Sequence, residues 1–493
     1  MTLRTVLFLV VALTLATSSF ASATITIRNT DTAGVGFNDT TPATPVGGNP
    51  GTTVGEQRMN AFREAARIWS EKLDSPVEIL IDASFAPLTC SVSSATLGSA
   101  GPTEIFSDFP HAPQAGVWYP FALANKLAGE NLDPGHAQIR ARFNGNLGNA
   151  DCLASKKWYY GLDGVHSSKQ IDLVVVLLHE FAHGLGVIGG ITVLDAPPGP
   201  NDPVMGSYRN GKPFIYDLHA LDDTTGLRMD QQSDTQRSAS MINDQHVVWD
   251  GAFVTNAAPQ YLGSVPKMTL TIGGSTNIGD VSEASFGPKL TPAGVNGTVI
   301  PAIDAAEPAA GALKAGTQQD GCSAYTNAGA VNGNVALVSD GRCSFVEKAK
   351  AAQAAGASAL LIADTATGSF AITPVGSDST ITIPVYGITK KDGDAVRAAG
   401  TASLAVFRDL TRMNGANQTG RVKLYTPTEV APGSTYSHID TSAFPNALME
   451  PNISSDLSHD VDLTLPLLLD IGWGITNAYI PPPGRSILRR GRH

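Results

Sequence analysis

His179-Glu180-Phe181-Ala182-His183-Gly184-Leu185-Gly186 is the stretch on which the reading of this chain turns. His179 and His183 are four residues apart. On a helix that spacing puts both imidazoles on one face, one turn apart, close enough to share a metal ion. Glu180 stands beside the first of them, placed to take a proton from water that the metal has acidified. Gly184 and Gly186 then end the helix and let the chain turn beneath the metal. Zinc is the expected ion, since two histidines at this spacing with an adjacent glutamate are a hydrolytic zinc pattern. A buried helix with two hydrogen-bonded histidines is the alternative.

The neighbouring residues predict a helix over 170–186. The segment is rich in Leu and Val, and Ser167 and Gln170 read as a capping box. Residues 173–178 show no polar face, so the helix is expected to be buried. Upstream, residues 57–73 read as helix and 76–85 as a strand with Val77, Ile79 and Ile81 on one face. Residues 119–127 read as a short helix. In 137–143, Ile139, Ala141 and Phe143 alternate with Gln138, Arg140 and Arg142, the period of a strand. This order predicts an α+β architecture, two helices on a twisted sheet with the metal below. Residues 190–285 read as loops with short strands. Within them 214–218 is a candidate cleft lining, and 231–240 is a surface loop.

Residues 1–23 have the form of a secretory signal. Arg4 gives a positive start, residues 6–16 an apolar core, and Ala21-Ser22-Ala23 a cleavage site that leaves Thr24 first. No other stretch is long and apolar enough to span a membrane. A secreted protein is expected. Cys90, Cys152, Cys322 and Cys343 suit an oxidising compartment, and none belongs to a Cys-x-x-Cys pair. They read as disulfides rather than ligands, with three pairings open. The net charge is −11, and basic residues do not cluster before the end of the chain, which argues against nucleic acid as a partner. Residues 481–493 carry three prolines and then Arg485, Arg489, Arg490 and Arg492, the composition of a solvated, disordered tail.

Near Ala284 the texture changes. Alanine and glycine rise, and strands expected at 335–338, 359–363 and 381–386 alternate with an amphipathic helix over 345–355. Residues 285–408 read as a separate small α/β unit. Within it stand Gly321-Cys322, Gly333-Asn334-Val335-Ala336-Leu337-Val338, Gly341-Arg342-Cys343-Ser344-Phe345, Lys348, Ala352-Gln353-Ala354-Ala355-Gly356-Ala357 and Ile383-Pro384-Val385-Tyr386. These resemble the protease-associated (PA) domain over roughly 120 residues. The resemblance implies a Cys322–Cys343 disulfide, leaving Cys90 with Cys152. It also implies an accessory role beside a peptidase, as lid or binding surface. Nothing in the unit has catalytic spacing.

A catalytic zinc needs a third protein ligand. Six residues after His183, where compact metzincins place a histidine, stands Gly189. No glutamate lies between Glu180 and Glu283, so a thermolysin-like ligand set fails too. Asp195, Asp202 and Asp217 fall in that interval without a recognisable arrangement. Beyond the α/β unit, His438 precedes Met449 by eleven residues. Leu463-Thr464-Leu465-Pro466-Leu467-Leu468-Leu469-Asp470-Ile471-Gly472-Trp473 follows. These segments resemble the leishmanolysin branch of the metzincins, in which an insertion displaces the third histidine. The resemblance implies His438 as third ligand, Met449 in a Met-turn forming an apolar floor, and residues 463–473 as the closing helix. Two positions depart from that pattern: Ile439, where an aromatic is usual, and Asp440, where Glu is usual. His459 is the competing ligand. Tyr436 is a candidate oxyanion partner, and Asp440 a candidate neighbour of the ligands.

The combined reading is a metallopeptidase domain in two parts, 24–284 and 409–480, interrupted by a PA-like domain at 285–408. Its expected activity is that of a secreted zinc endopeptidase on protein or peptide substrates, with Glu180 as general base. One alternative is a secreted binding protein with a structural zinc and the PA-like unit as its working surface. Another is a zinc hydrolase acting on something other than peptide. Glu180 separates the first alternative from catalysis, because a purely structural site has no need of an acid beside its ligand.

Overall fold

A computed structural model describes residues 22–194, 204–291, 293–309, 315–368 and 371–476. The expected signal segment before Ser22, the tail at 481–493, Asp195 and Asp202 lie outside the described residues. The chain divides into two compact units. One runs to Gly263 and resumes at Gly415; the other is Ser264–Asn414.

The first unit is built on a four-stranded sheet: β1 (Ile25–Asn29), β2 (Ile79–Ala86), β4 (Ile139–Asn144) and, at the edge, β3 (Gly98–Pro102). β1, β2 and β4 are parallel, and β3 runs antiparallel to β4. In β4 Ile139, Ala141 and Phe143 are buried while Arg140 and Arg142 are exposed, as a period of two requires. Helix α1 (Val54–Lys72) begins with a reciprocal capping box between Thr53 and Glu56. It packs on β1 and on α3 (Leu173–Leu185), and α3 lies against β3 and β4. Phe62 of α1 sits among Phe85, Phe143 and Phe181, with ring centroids 5.0–6.0 Å away. A side-chain carbon on Gly184 would stand 2.4 Å from Ile139, so glycine there lets α3 approach β4 closely. Every residue from Leu173 to Leu178 is buried. At about 2 kcal/mol for each large apolar side chain, that burial outweighs the poor helix preference of three consecutive valines.

Several expected boundaries move. α3 begins at Leu173 rather than Gln170, because the Asp172 side chain accepts from Val174 N–H at 2.8 Å and caps it. Gln170–Asp172 is instead a strand paired with Lys157–Tyr159. Gln170 does bond Ser167, through a turn that precedes this strand. The expected loop at 231–240 contains a helix, Asp234–Ser240, capped reciprocally by Ser233 and Gln236. A further helix, Ala252–Tyr261, follows. The α2 helix (Phe121–Ala128) and a closing helix, Thr464–Asp470, occupy the expected places.

The second unit is a closed seven-stranded barrel. Its strands are β5 (Ser264–Ile272), β6 (Ser275–Glu283), β7 (Val295–Pro301), β8 (Val335–Ser339), β9 (Ala359–Ala363), β10 (Val385–Ile388) and β11 (Ala402–Met413). β7 through β10 are parallel neighbours, and a helix, Phe345–Ala354, crosses from β8 to β9. β5, β6 and β11 pair antiparallel and close the barrel. The unit therefore starts before the expected residue 285. Met268, Leu270 and Val281 of the first hairpin share a core with Val335, Leu361 and Tyr386. Disulfides join Cys90 to Cys152 and Cys322 to Cys343. No helix among the described residues is long and apolar enough to cross a membrane.

Candidate metal centre

α3 ends at Gly186, while Gly184, also expected to end it, lies inside the helix. Gly186 has φ +134°, and its N–H reaches back to the carbonyls of Ala182 and His183. His179 and His183 keep their spacing of one turn, with Nε2 atoms 3.2 Å apart. His438 joins them: its ring centroid is 5.2 Å from that of His179 and 4.8 Å from that of His183. The three ligand nitrogens lie within 4.8 Å of one another.

Each histidine is oriented from behind. Nδ1 of His179 faces the Leu448 carbonyl at 2.7 Å, that of His183 the Val187 carbonyl at 2.6 Å, and that of His438 the Ser434 carbonyl at 2.8 Å. A carbonyl only accepts, so each Nδ1 carries the proton and each Nε2 keeps its lone pair for a metal. Burial pushes all three imidazoles below their ordinary pKa, His179 to about 3, with mutual repulsion adding for His179 and His438. Three neutral imidazoles with converging lone pairs fit zinc and leave a fourth position open.

Glu180 is buried beside them. Its Oε2 accepts from the Ala100 N–H of β3 at 2.8 Å. Burial raises its pKa to about 7, against the opposing effect of that N–H. Gly98 makes the approach of β3 feasible, since a side-chain carbon there would meet Glu180 Cγ at 3.0 Å and Phe143 at 2.9 Å. The site opens into a cleft of about 600 Å³ between β3, α3 and the segments at 431–438 and 451–453. Among the described residues lining it Glu180 is the one carboxylate, and there is no Lys or Arg.

A backbone ladder fixes His438. Trp249 N–H bonds the Val422 carbonyl, Leu424 N–H the Val247 carbonyl, and Tyr425 N–H the carbonyl of His438 itself. Ile439 N–H then bonds the Met449 carbonyl at 2.7 Å. Met449 is fully buried. Gly189 cannot carry the compact third ligand, for a side-chain carbon there would stand 2.2 Å from the Tyr436 ring.

Other candidates go elsewhere. Tyr436 is no oxyanion partner here: its hydroxyl donates to Asp217 at 2.9 Å and it does not line the cleft. Asp217 also accepts from Gly190 N–H and Phe214 N–H, and burial raises its pKa to about 7. It braces the turn after α3 and does not join the three histidines. Phe214 and Leu218 likewise do not line the cleft. His459 bonds Asp172 at the opposite end of α3. Asp440 caps a turn through Ser442. Two groups escaped sequence reasoning. β3, Gly-Ser-Ala-Gly-Pro, has no strand signature. Asp462 accepts from Leu448 N–H at 2.6 Å, a contact across fourteen residues that no local pattern marks.

Residues 297–396 match the PA domain family. Aminopeptidase YwaD of Bacillus subtilis (strain 168) is 39% identical over 84 residues, which are 17% of this chain and 18% of that protein. Among solved structures, BSAP, a zinc aminopeptidase from Bacillus subtilis, shares 23% identity over 31% of this chain and 35% of its own, with a TM-score of 0.22. The psychrophilic subtilisin-like protease Apa1 from Pseudoalteromonas sp. AS-11 shares 18% identity over 30% of this chain and 34% of its own, with a TM-score of 0.20. The chain spans less than a fifth of the curated relative and about a third of these structures. Within the second unit, residues 297–396 are a PA domain.

Proposed function

We propose that this chain is a secreted zinc endopeptidase of the metzincin type, resembling the leishmanolysin branch, with a PA domain inserted between the second and third ligands. The observation that carries the reading is the convergence of Nε2 atoms from His179, His183 and His438 with Glu180 at their side. Zinc, when bound there, supplies a Lewis acid that acidifies water and polarises a carbonyl. Glu180, buried beside the ligands, is placed to serve both halves of the proton transfer. Ala100 holds its Oε2, which leaves Oε1 to take a proton from water and pass it to the leaving amine. Among the described residues β3 pairs on one side only, and it borders the cleft, so an extended peptide can add to it as a further strand.

The names of the relatives favour a second reading, an aminopeptidase. An exopeptidase must hold a charged chain terminus. Among the described residues the cleft lining offers no carboxylate besides Glu180 and no basic side chain, which supports internal cleavage. The test is digestion of the same peptides in two forms, with free ends and with acetylated and amidated ends, with and without chelator, read by mass spectrometry. Chelator-sensitive internal cuts are expected. Release of single residues from free amino termini alone would favour the aminopeptidase.

A further inference from the structure

The second unit holds another cluster of possible ligands. Asp304, Glu307 and Asp320 bring one carboxylate oxygen each within 4.8 Å of the others. Asp304 is 1% exposed and Asp320 3%. Buried carboxylates at this spacing repel one another and need compensation. Some is present. Asp304 Oδ2 accepts from the N–H groups of Cys322 and Ser323 at 2.9 and 3.2 Å. Asp320 accepts from Thr317 N–H at 2.6 Å and Cys322 N–H at 3.2 Å. Arg342 Nε stands 3.3 Å from Glu307 Oε2. The buried Lys348 ammonium donates to the backbone carbonyls of Asp320 and Gly341.

That leaves a remainder. Asp304 Oδ1 and both Glu307 oxygens are buried with no hydrogen-bond partner among the described residues, Glu307 Oε2 meeting Arg342 as an ion pair. Tyr325 gives an independent sign. It is 7% exposed, and its hydroxyl also lacks a partner among the described residues. That hydroxyl lies beside Gly321, the residue between Asp320 and Cys322, 3.3 Å from where a side-chain carbon there would stand.

We propose that Asp304, Glu307 and Asp320 form a calcium site. The donors are all hard oxygens, with no imidazole or thiolate to select zinc. At metal–oxygen distances of about 2.3–2.6 Å, oxygens on opposite sides of a calcium ion stand about 5 Å apart. Magnesium, at about 2.0–2.1 Å, demands a tighter and more regular set. The ion ties the irregular segment after β7 to the loop leading into Cys322, on the approach to the Cys322–Cys343 disulfide.

The test uses the full chain, stripped of metal and given one equivalent of zinc, then titrated with calcium chloride to about 10 mM, well above the about 0.1–1 mM affinity typical of extracellular modules. Calorimetry is expected to find one saturable calcium site, accompanied by a rise in melting temperature. Asp304→Asn and Glu307→Gln are each expected to weaken binding at least tenfold, roughly the loss of one charged ligand. Glu307 is partly exposed, so its variant serves where Asp304→Asn fails to fold. Absence of saturable binding, or binding that Glu307→Gln leaves unchanged, overturns the proposal.

Discussion

Nδ1 of His179 lies 2.7 Å from the carbonyl oxygen of Leu448, a residue 269 positions further along the chain. The same Leu448 offers its N–H to Asp462. One residue is thus held through both its backbone groups, and through it the segment before Met449 fixes the direction in which His179 presents Nε2. The residue that follows His438 bonds the carbonyl of Met449, so this short segment aligns ligands from both parts of the first unit.

Removing the third ligand tests the centre most directly. His438→Ala is expected to cost zinc affinity more than the roughly 10–100-fold that follows loss of an outer hydrogen-bond partner. Far-ultraviolet circular dichroism is expected to stay native, because the packed sheet and α3 do not depend on that ring. Metal analysis after dialysis reads the outcome. Stoichiometric zinc in the variant would mean another group completes the site.

Glu180→Gln keeps the shape, and its amide oxygen can still accept from Ala100 N–H, but it cannot take a proton. Zinc content is expected to match wild type, while kcat/KM for peptide hydrolysis falls at least about a hundredfold, the scale of a lost general base. Near-normal turnover would remove Glu180 from the mechanism.

Asp462→Ala leaves Leu448 N–H unpaired and loosens the carbonyl behind His179. A 10–100-fold loss of zinc affinity is expected, roughly the usual effect of removing an orienting partner. A pH signature accompanies it. Burial raises the folded pKa of Asp462 to about 6, above the ordinary aspartate value, so the native state binds its proton more tightly than the unfolded chain does. The stability this contributes is complete below about pH 4 and is lost as pH rises through about 6. Urea denaturation of the zinc-free proteins is therefore expected to show the gap between wild type and Asp462→Ala narrowing from pH 4 to pH 7, by about 3 kcal/mol at most. The three histidines titrate in both proteins and cancel in the difference. A gap that widens over this range would contradict the assignment.

Particular residues show why some of this was legible in the sequence and some was not. α3 could be read because its ligands, its apolar run and its glycine stop are contiguous. His438 was legible only through its spacing to Met449, since the ladder that carries it to the other histidines is made of backbone bonds. The β5–β6 hairpin left a usable signal, Gly273-Gly274, with φ of +55° and +86° as a two-residue turn demands, between runs of alternating polarity. Ser233 and Gln236 likewise announced the helix Asp234–Ser240. The helix Ala252–Tyr261 gave no such notice. Gly251 has no capping side chain, and Asp470 performs that role from far along the chain, accepting from Phe253 and Val254 N–H.

The limits of the PA-containing unit give the last prediction. A boundary at 285–408 cuts away β5 and β6 and the last five residues of β11. Those strands close the barrel, and Met268, Leu270 and Val281 belong to its core. Ser264 and Met413, by contrast, are paired neighbours although they begin the first strand and end the last, so the chain enters and leaves the unit at one place. That is the condition under which an insertion is tolerated. Residues 264–414 expressed alone, with Cys322 and Cys343 oxidised, are therefore expected to unfold in a single cooperative transition. Residues 285–408 are expected to show none and to associate through the exposed edges of an opened barrel. In the full chain, replacing 264–414 with a short Gly/Ser linker is expected to preserve zinc content and cleavage of small peptides. Calorimetry of the two fragments decides between the boundaries. A cooperative melt for 285–408 that matches the one for 264–414 would show that the first hairpin is dispensable and that the unit begins where the composition of the sequence changes.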